Sequence, residues 1–151
     1  MMIKTVILKP LLSKNIDEAY LRWINDPQTT RYLTTKSATI KELKEYCDFM
    51  DASPKHILFG IYTVDNIHIG NIALNNIETD SADTGVIIGA EYRRKGYATL
   101  ALKEILKYAR ERGIQKVWVA VHPENYQSVE MCRKVGFIPY SLQMQINFTG
   151  R

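Results

Sequence analysis

The sequence predicts one α+β domain, residues 1–151, in which helices flank a mixed, mostly antiparallel sheet. Three observations predict it. Strand-like runs and amphipathic helical patterns fill the chain with no linker, repeat or low-complexity stretch between them. Three strand runs between His56 and Gly89 are separated only by short polar turns, the mark of an antiparallel meander. A strand–turn–helix unit follows, and then the short β-branched run Lys116–Val121, which lacks a polar face as a central strand does.

Each element has a local cause. Ile3 to Lys9 is a β-rich run closed by Pro10 and reads as the first strand. Asn15 or Asp17 caps a short helix carrying Tyr20, Trp23 and Ile24, which Asp26-Pro27 stops. Thr29 to Ser37 reads as loop. Thr39 with Glu42 makes a capping box for a helix that sets Ile40, Leu43, Tyr46, Cys47 and Met50 on one face and ends at Ser53-Pro54. The meander strands are His56–Val64, Ile67–Ile77 and Asp83–Gly89, with Asp65-Asn66 as a tight turn. Tyr97 to Arg112 is a helix that buries Ala98, Ala101, Leu102, Ile105, Leu106 and Ala109, and Gly113 stops it. Asn125 caps a last helix with Val129, Met131, Cys132 and Val135 inward, stopped by Gly136. The alternation of Leu142, Met144, Ile146 and Phe148 predicts a final strand over Phe137–Phe148.

Composition limits the function. The net charge of +4 is mildly basic and suits an anionic ligand. Nucleic-acid binding would interleave Lys and Arg with exposed aromatics on one face, whereas the charges here are spread along amphipathic helices apart from one turn. No apolar run approaches the roughly 20 residues that cross a bilayer, and the N-terminus reads as a strand rather than a leader. The two cysteines have no metal spacing and read as buried thiols, so a cytoplasmic protein without a metal is expected.

The turn Glu91-Tyr92-Arg93-Arg94-Lys95-Gly96-Tyr97-Ala98 opens directly into a helix. A helix start presents unpaired N–H groups and the positive end of the macrodipole, Gly96 lets backbone approach a ligand, and Arg93, Arg94 and Lys95 add charge. The stretch reads as a phosphate cradle, or taken alone as a solvated basic turn. Asn125 similarly reads as a helix cap when taken alone.

These residues also carry a resemblance. Arg93-x-x-Gly96-x-Ala98, after a strand and before a helix, resembles the acetyl-coenzyme A motif of the GNAT acetyltransferases, Gln/Arg-x-x-Gly-x-Gly/Ala. Asn125-x-x-Ser128, with Lys134-x-Gly136-Phe137 running from the end of the same helix past its stop, resembles that family's later motif. Leu21-Arg-Trp23-Ile-Asn25-Asp26-Pro27 and His68-Ile69-Gly70-Asn71-Ile72 resemble the branch that includes ribosomal-protein N-terminal acetyltransferases. The resemblance implies a sheet that splays between its fourth and fifth strands, with the pantetheine arm of acetyl-CoA in the gap. It implies that the backbone of Val86, Ile87 and Ile88 pairs with the pantetheine amides. The amides from Arg94 through Lys95, Gly96, Tyr97 and Ala98 to Thr99 would hold the pyrophosphate, and Asn125, with Ser128 of the same motif, would contact the coenzyme.

Acetyl transfer to an amine needs a path for the amine's proton, a donor that polarises the thioester carbonyl and a proton for the leaving thiolate. Direct attack is expected, with the N–H of Ile87 or Ile88 polarising the carbonyl. The resemblance puts Asp83 where many members have a glutamate base; it reads equally as a turn aspartate. Glu78 and Glu91 are weaker candidates. Cys132 falls where many members have an acidic tyrosine, and Tyr126 and Tyr140 are substitutes. Cys132 as an acyl-carrying nucleophile ranks well below direct transfer, having no histidine near it in sequence. His56 and His68 sit in strand patterns that favour structural roles, and His122 lies at a strand end near the cleft.

The acceptor side is expected from the first two helices, their loop and the third strand: Trp23, Arg31, Tyr32 and Asn71, with Tyr20. Aromatic and cationic groups there suit a nucleotide-linked sugar, and the run Asn66–Gly89 looks closest to acetyltransferases of nucleotide-activated amino sugars. Protein N-termini, amino acids and polyamines are the alternatives, and an acyl-CoA sensor is the non-enzymatic one. The resemblance implies two strands after the last helix, and about one strand's worth of pattern follows it here, so the sheet is expected either to be completed by a neighbouring chain, as a homodimer, or to keep a short edge.

Overall fold

The computed structural model describes residues 4–33, 35–142, 144–146 and 148. Its elements are β1 (Ile7–Pro10), α1 (Glu18–Ile24), α2 (Ile40–Ala52), β2 (Ile57–Tyr62), β3 (His68–Asn75), β4 (Ser81–Ile88), α3 (Tyr97–Glu111), β5 (Lys116–Val119) and α4 (Tyr126–Val135). The strands form a 5-stranded sheet in the order β1-β2-β3-β4-β5. The first three pairings are antiparallel and β4 with β5 is parallel, since α3 carries the chain back across the sheet.

The helix starts follow their caps. Asp17 accepts the N–H of Tyr20 at 2.9 Å and begins α1. Thr39 accepts the N–H of Glu42 at 3.2 Å while the Glu42 carboxylate accepts the N–H of Thr39 at 2.7 Å, the reciprocal box that begins α2. Ser53 ends α2, and Gly113, with φ at +82°, follows α3. The Asp65-Asn66 turn places Asn66 at φ +64°.

Adjacent residues on a strand point to opposite faces, and the core divides accordingly. Phe59, Ile72 and Leu74 pack with Ala101, Leu102, Ile105 and Ala109 under α3. Leu58 and Ala73 pack with Cys47 and Met50 of α2 on the other face. Beside that second layer, Tyr20, Trp23 and Ile24 of α1 meet Leu43 of α2 and Ile87 of β4. Trp23 lies so close to the β4 end that a Cβ on Gly89 would sit 2.4 Å from its indole.

The structure departs from the sequence reading in three places. The apolar face of α2 is narrower than its periodicity suggests, because Ile40 and Tyr46 are 40% and 41% exposed. Lys116–Val121 does not form a central strand: β5 stops at Val119, pairs with β4 alone, and alternates exposed and half-buried residues. No strand occurs among the described residues of Phe137–Phe148, although the alternation is strict. These last two departures go together: among the described residues none of 137–148 pairs with the outer side of β5, which is therefore the edge of the described sheet. Residues 1–3 of the N-terminus, and residues 34, 143 and 147 within the predicted loop and last strand, lie outside the described residues.

Candidate active site

The site begins where two strands part. β4 and β5 pair from Ser81↔Lys116 to Thr84↔Val119 and no further. Gly85–Ile88 continues β4 paired only with β3, from Gly85↔Ala73 to Ile88↔Gly70. Among the described residues, Val86 and Ile88 therefore turn their backbone groups to the open side, where Arg93 meets the Ile88 carbonyl, while Ile87, opposite Asn71, turns its own toward β3. A Cβ on Gly70 would stand 2.2 Å from the Ile87 carbonyl oxygen, so glycine is what lets β3 lie this close to β4 here.

This open edge forms one wall of a cleft of about 660 Å³. Its floor is the cradle, where Arg93, Arg94, Gly96, Tyr97, Ala98 and Thr99 all line the space. Arg94 has φ +60° and Gly96 φ +84°, left-handed conformations that turn successive amides toward a common point. No side chain caps α3 and its first turn holds no acidic residue. The unpaired N–H groups and positive dipole end of this helix thus face the cleft without neutralisation. Lys4 braces the turn from outside: its Nζ donates to the Lys95 carbonyl at 2.6 Å and stands 4.6 Å over the Tyr97 ring.

Arg93 behaves differently from its neighbours. Its Nε donates to the Ile88 carbonyl at 3.2 Å and an Nη donates to Thr29 Oγ1 at 2.6 Å. Thr29 in turn donates to Asp26 Oδ2 at 2.9 Å, a bond that leads the causes holding the Asp26 carboxyl below its usual range. The guanidinium therefore ties the end of β4 to the α1–α2 connection, and Arg94 and Lys95 carry the exposed charge of the turn.

The α1–α2 connection closes the opposite side. Gln28, Thr29, Arg31, Tyr32 and Leu33 line the cleft from it. The Tyr32 ring stacks on His122 at 4.9 Å, its hydroxyl reaches the Glu124 carbonyl at 3.4 Å, and the Arg31 guanidinium lies 5.1 Å from its centroid. His122 Nδ1 accepts the N–H of Glu124 at 3.1 Å, which orients the ring under Tyr32. Asn125, Gln127, Ser128 and Met131 of the α4 start complete the lining. Asn125 caps α4 through the N–H of Ser128 at 3.4 Å and faces the cleft as well, so its two sequence readings coexist.

Other expected residues fall elsewhere. Trp23 and Asn71 are 1% and 3% exposed and do not line the cleft. Trp23 meets His68 edge-on at 5.1 Å, and His68 Nε2 lies 2.8 Å from Asn71 Oδ1 while Nδ1 lies 2.9 Å from Asp17 Oδ2. Trp23, His68 and Asn71 form a buried support beside the β4 end, with Asp17 at its half-exposed margin, where α1 packs. Asp83 pairs with Asn75 and Trp118 in the sheet, and its carboxylate accepts from Asn76 Nδ2 at 3.0 Å, outside the cleft. Cys132 is 6% exposed, and burial pushes its thiol up. Its neighbour Met131 takes the cleft-facing position instead. Gln28, Thr29 and Met131 were not singled out from sequence, and Lys4 was read only as part of a strand. Nothing in their local pattern marks them, because the cleft and its bracing turn bring together segments distant in the chain.

Sequence and structure comparisons agree with this architecture. The model of the acetyltransferase (GNAT) domain matches residues 5–138, and the chain belongs to that family. It is 19% identical over 144 residues to YobR, an uncharacterized N-acetyltransferase of Bacillus subtilis (strain 168), with 91% of this chain and 58% of the relative covered. The chain thus spans less than two thirds of that relative's length. A spermidine N-acetyltransferase from Vibrio cholerae, solved with CoA and spermine, superposes with a TM-score of 0.83 at 20% identity, covering 91% of this chain and 83% of that one. A GNAT-family acetyltransferase from Bacillus anthracis does so with a TM-score of 0.77 at 21% identity, covering 87% and 79%. At such identities the likeness is one of fold. Among the described residues no group of His, Cys, Asp and Glu is placed to hold a metal ion, and no helix is long and apolar enough to cross a membrane.

Proposed function

We propose that the chain is an acetyl-CoA-dependent N-acetyltransferase acting on a primary amine whose carrier bears an anionic group, of the nucleotide-linked amino-sugar kind. The observation that carries the coenzyme half is the open edge of β4 running straight into an uncapped α3. An extended arm with amide groups adds to Val86, Ile87 and Ile88 as a strand would. A pyrophosphate suits the amides from Arg94 to Thr99, with Arg94 and Lys95 as countercharge. Acetyl-CoA supplies the activated acyl group. The chain's own part is to hold the thioester against the Ile88 N–H, which faces the open side of β4 and polarises the carbonyl, and to bring the amine to it in line.

The acceptor enters past Arg31 and Tyr32, which offer a guanidinium and an aromatic face. The ionised side chains that line the cleft are arginines, and no carboxylate lines it among the described residues. A polycation there would meet like charge, whereas a phosphorylated acceptor would be attracted. The amine's proton passes to solvent past the His122 imidazole, which lies against Tyr32, and the coenzyme A thiolate that leaves takes a proton from solvent. Asp83 and Cys132 take no direct part, the first lying outside the cleft and the second in the core.

A polyamine acceptor is the second reading, favoured by the fold likeness to the Vibrio cholerae enzyme. Calorimetry with acetyl-CoA tests the coenzyme seat, and a free-thiol assay over nucleotide-linked amino sugars, polyamines and N-terminal peptides tests the acceptor. Absence of acetyl-CoA binding sinks the whole reading. Turnover with spermidine alone sinks only the anionic acceptor, and binding without turnover leaves an acyl-CoA sensor.

A further inference from the structure

His68 of β3 is a buried ionisable side chain that the cleft does not use. The side chain is 6% exposed, stacked on the Tyr62 ring at 5.0 Å and edge-on to Trp23 at 5.1 Å. Its Nδ1 is 2.9 Å from the Asp17 carboxylate. Its Nε2 is 2.9 Å from the Gly70 carbonyl and 2.8 Å from Asn71 Oδ1. Both ring nitrogens therefore face oxygens that accept, and a neutral imidazole has a single N–H to offer. Turning the Asn71 amide over would bring its partnerless Nδ2 to Nε2. The Gly70 carbonyl, held within β3, would still meet a lone pair. The imidazolium satisfies every partner at once.

We infer that His68 is a positioning residue for acetyl transfer: as an imidazolium it donates to Asp17 and to Gly70, and so fixes the strand around the Ile88 N–H. This role rests on the reading of Ile88 as the polarising amide. Ile88 lies opposite Gly70, and both of its neighbours in β4 are held by this cluster. Ile87 pairs with Asn71, whose Oδ1 takes the Nε2 bond. Gly89 donates to the Ile69 carbonyl and lies against the Trp23 indole. Asp17 also caps α1 through Tyr20, so one ring joins the helix that bears Trp23 to the strand that bears Asn71. A buried cation is costly unless it is paired. Around this one stand the Asp17 carboxylate before α1, the Tyr20 phenol of α1 beside Asn71, and the Tyr62 face of β2. Lys9 of β1 is a like charge, 4.8 Å over the same Tyr62 ring and bonded to Asn66. Loss of the second ring proton sets a lone pair against Gly70 or Asp17 and loosens the amide.

Two measurements on the full chain test this role. Nitrogen NMR of the imidazole in the free chain counts its protons. One on each nitrogen is expected, and a single one on Nδ1 overturns the inference whatever the chain catalyses. Infrared spectroscopy of bound acetyl-CoA, isotope-labelled at the thioester carbonyl, reads the polarisation. The carbonyl stretch should fall on binding, and as pH rises that fall should disappear together with the second ring proton. His68→Gln cannot donate to both sides and should lose the fall, while its Kd for acetyl-CoA stays within about threefold because the phosphate cradle is untouched. Asp17→Asn keeps the cap but turns an NH2 toward Nδ1, so it should leave one ring proton, on Nε2, and a smaller fall. A fall that outlasts the second proton, or that either variant keeps in full, overturns the inference. No fall in the wild type at any pH, with two ring protons present, is the failure of the Ile88 reading, and the positioning role goes with it.

Discussion

Arg93 stands between the two halves of the cleft, and its bonds to Ile88 and Thr29 explain why a basic turn residue is half-buried. A charge-assisted hydrogen bond contributes about 1.5–3 kcal/mol when its partners are shielded, and partial exposure reduces that here. Arg93→Ala should therefore cost about 1–2 kcal/mol in urea unfolding. It should also raise the KM for acetyl-CoA about tenfold, since both the β4 end and the acceptor loop lose their tie. Arg93→Lys should rescue little, because an ammonium cannot fork to two acceptors on different elements. Cys132 and Asp83 give the opposite expectation. With one buried and the other outside the cleft, Cys132→Ala and Asp83→Asn should each keep kcat within about threefold, where loss of a general acid or base costs roughly a hundredfold or more. A steep loss in either variant would return that residue to the chemistry.

At the scale of elements, the caps of α1 and α2 look alike in sequence and differ in structure. Thr39 serves only the α2 start, through its box with Glu42. Asp17 caps α1 and also faces the buried His68 ring at 2.9 Å, so it joins a helix start to β3. Thr39→Ala should lower stability by about 1 kcal/mol. Asp17→Ala should cost more, about 2–3 kcal/mol, because a cap and a contact to a buried ring are lost together. Asp17→Asn should fall between them, keeping the cap and losing the charge. Chemical denaturation of the three variants ranks them, and equal losses for Thr39→Ala and Asp17→Ala would remove the linking role of Asp17.

The whole molecule shows a weakness on the alkaline side. Burial, and next the Asp48 carboxylate, push the Cys47 thiol from its ordinary 9.0 to about 11. Burial likewise raises the phenol of Tyr20, in the neighbouring layer of the core, and that of the partly exposed Tyr46 beside Cys47. Each group stays neutral longer in the folded chain than in the unfolded one. Its contribution is complete below the unfolded value and is lost as pH rises toward the folded one. Stability should be level up to about pH 9 and fall between there and pH 11. Urea midpoints across that range measure it, and Cys47→Ala should make the fall shallower. The same burial predicts that both thiols resist alkylation in the folded protein at neutral pH.

How much of this was legible beforehand depends on the range over which each residue acts. Thr39 with Glu42, Asp26-Pro27, Gly113 and the basic turn before Tyr97 are local signals, and they placed the helices and the cradle from the chain alone. The α+β class followed from these signals and the strand patterns, and the expectation of a coenzyme along Val86 to Thr99 came from the resemblance that the basic turn carries. Only the tertiary structure decided that Arg93 turns inward to Thr29, that Tyr32 reaches across to His122, and that Trp23 and Asn71 lie behind the cleft rather than in it. It also decided that Cys132 faces the core and that no strand forms among the described residues of 137–148. A helix cap or a turn is satisfied within a few residues and is therefore written where it acts. A cleft is made by side chains far apart in sequence, and which of two neighbours, Met131 or Cys132, looks into it depends on the angle at which α4 packs.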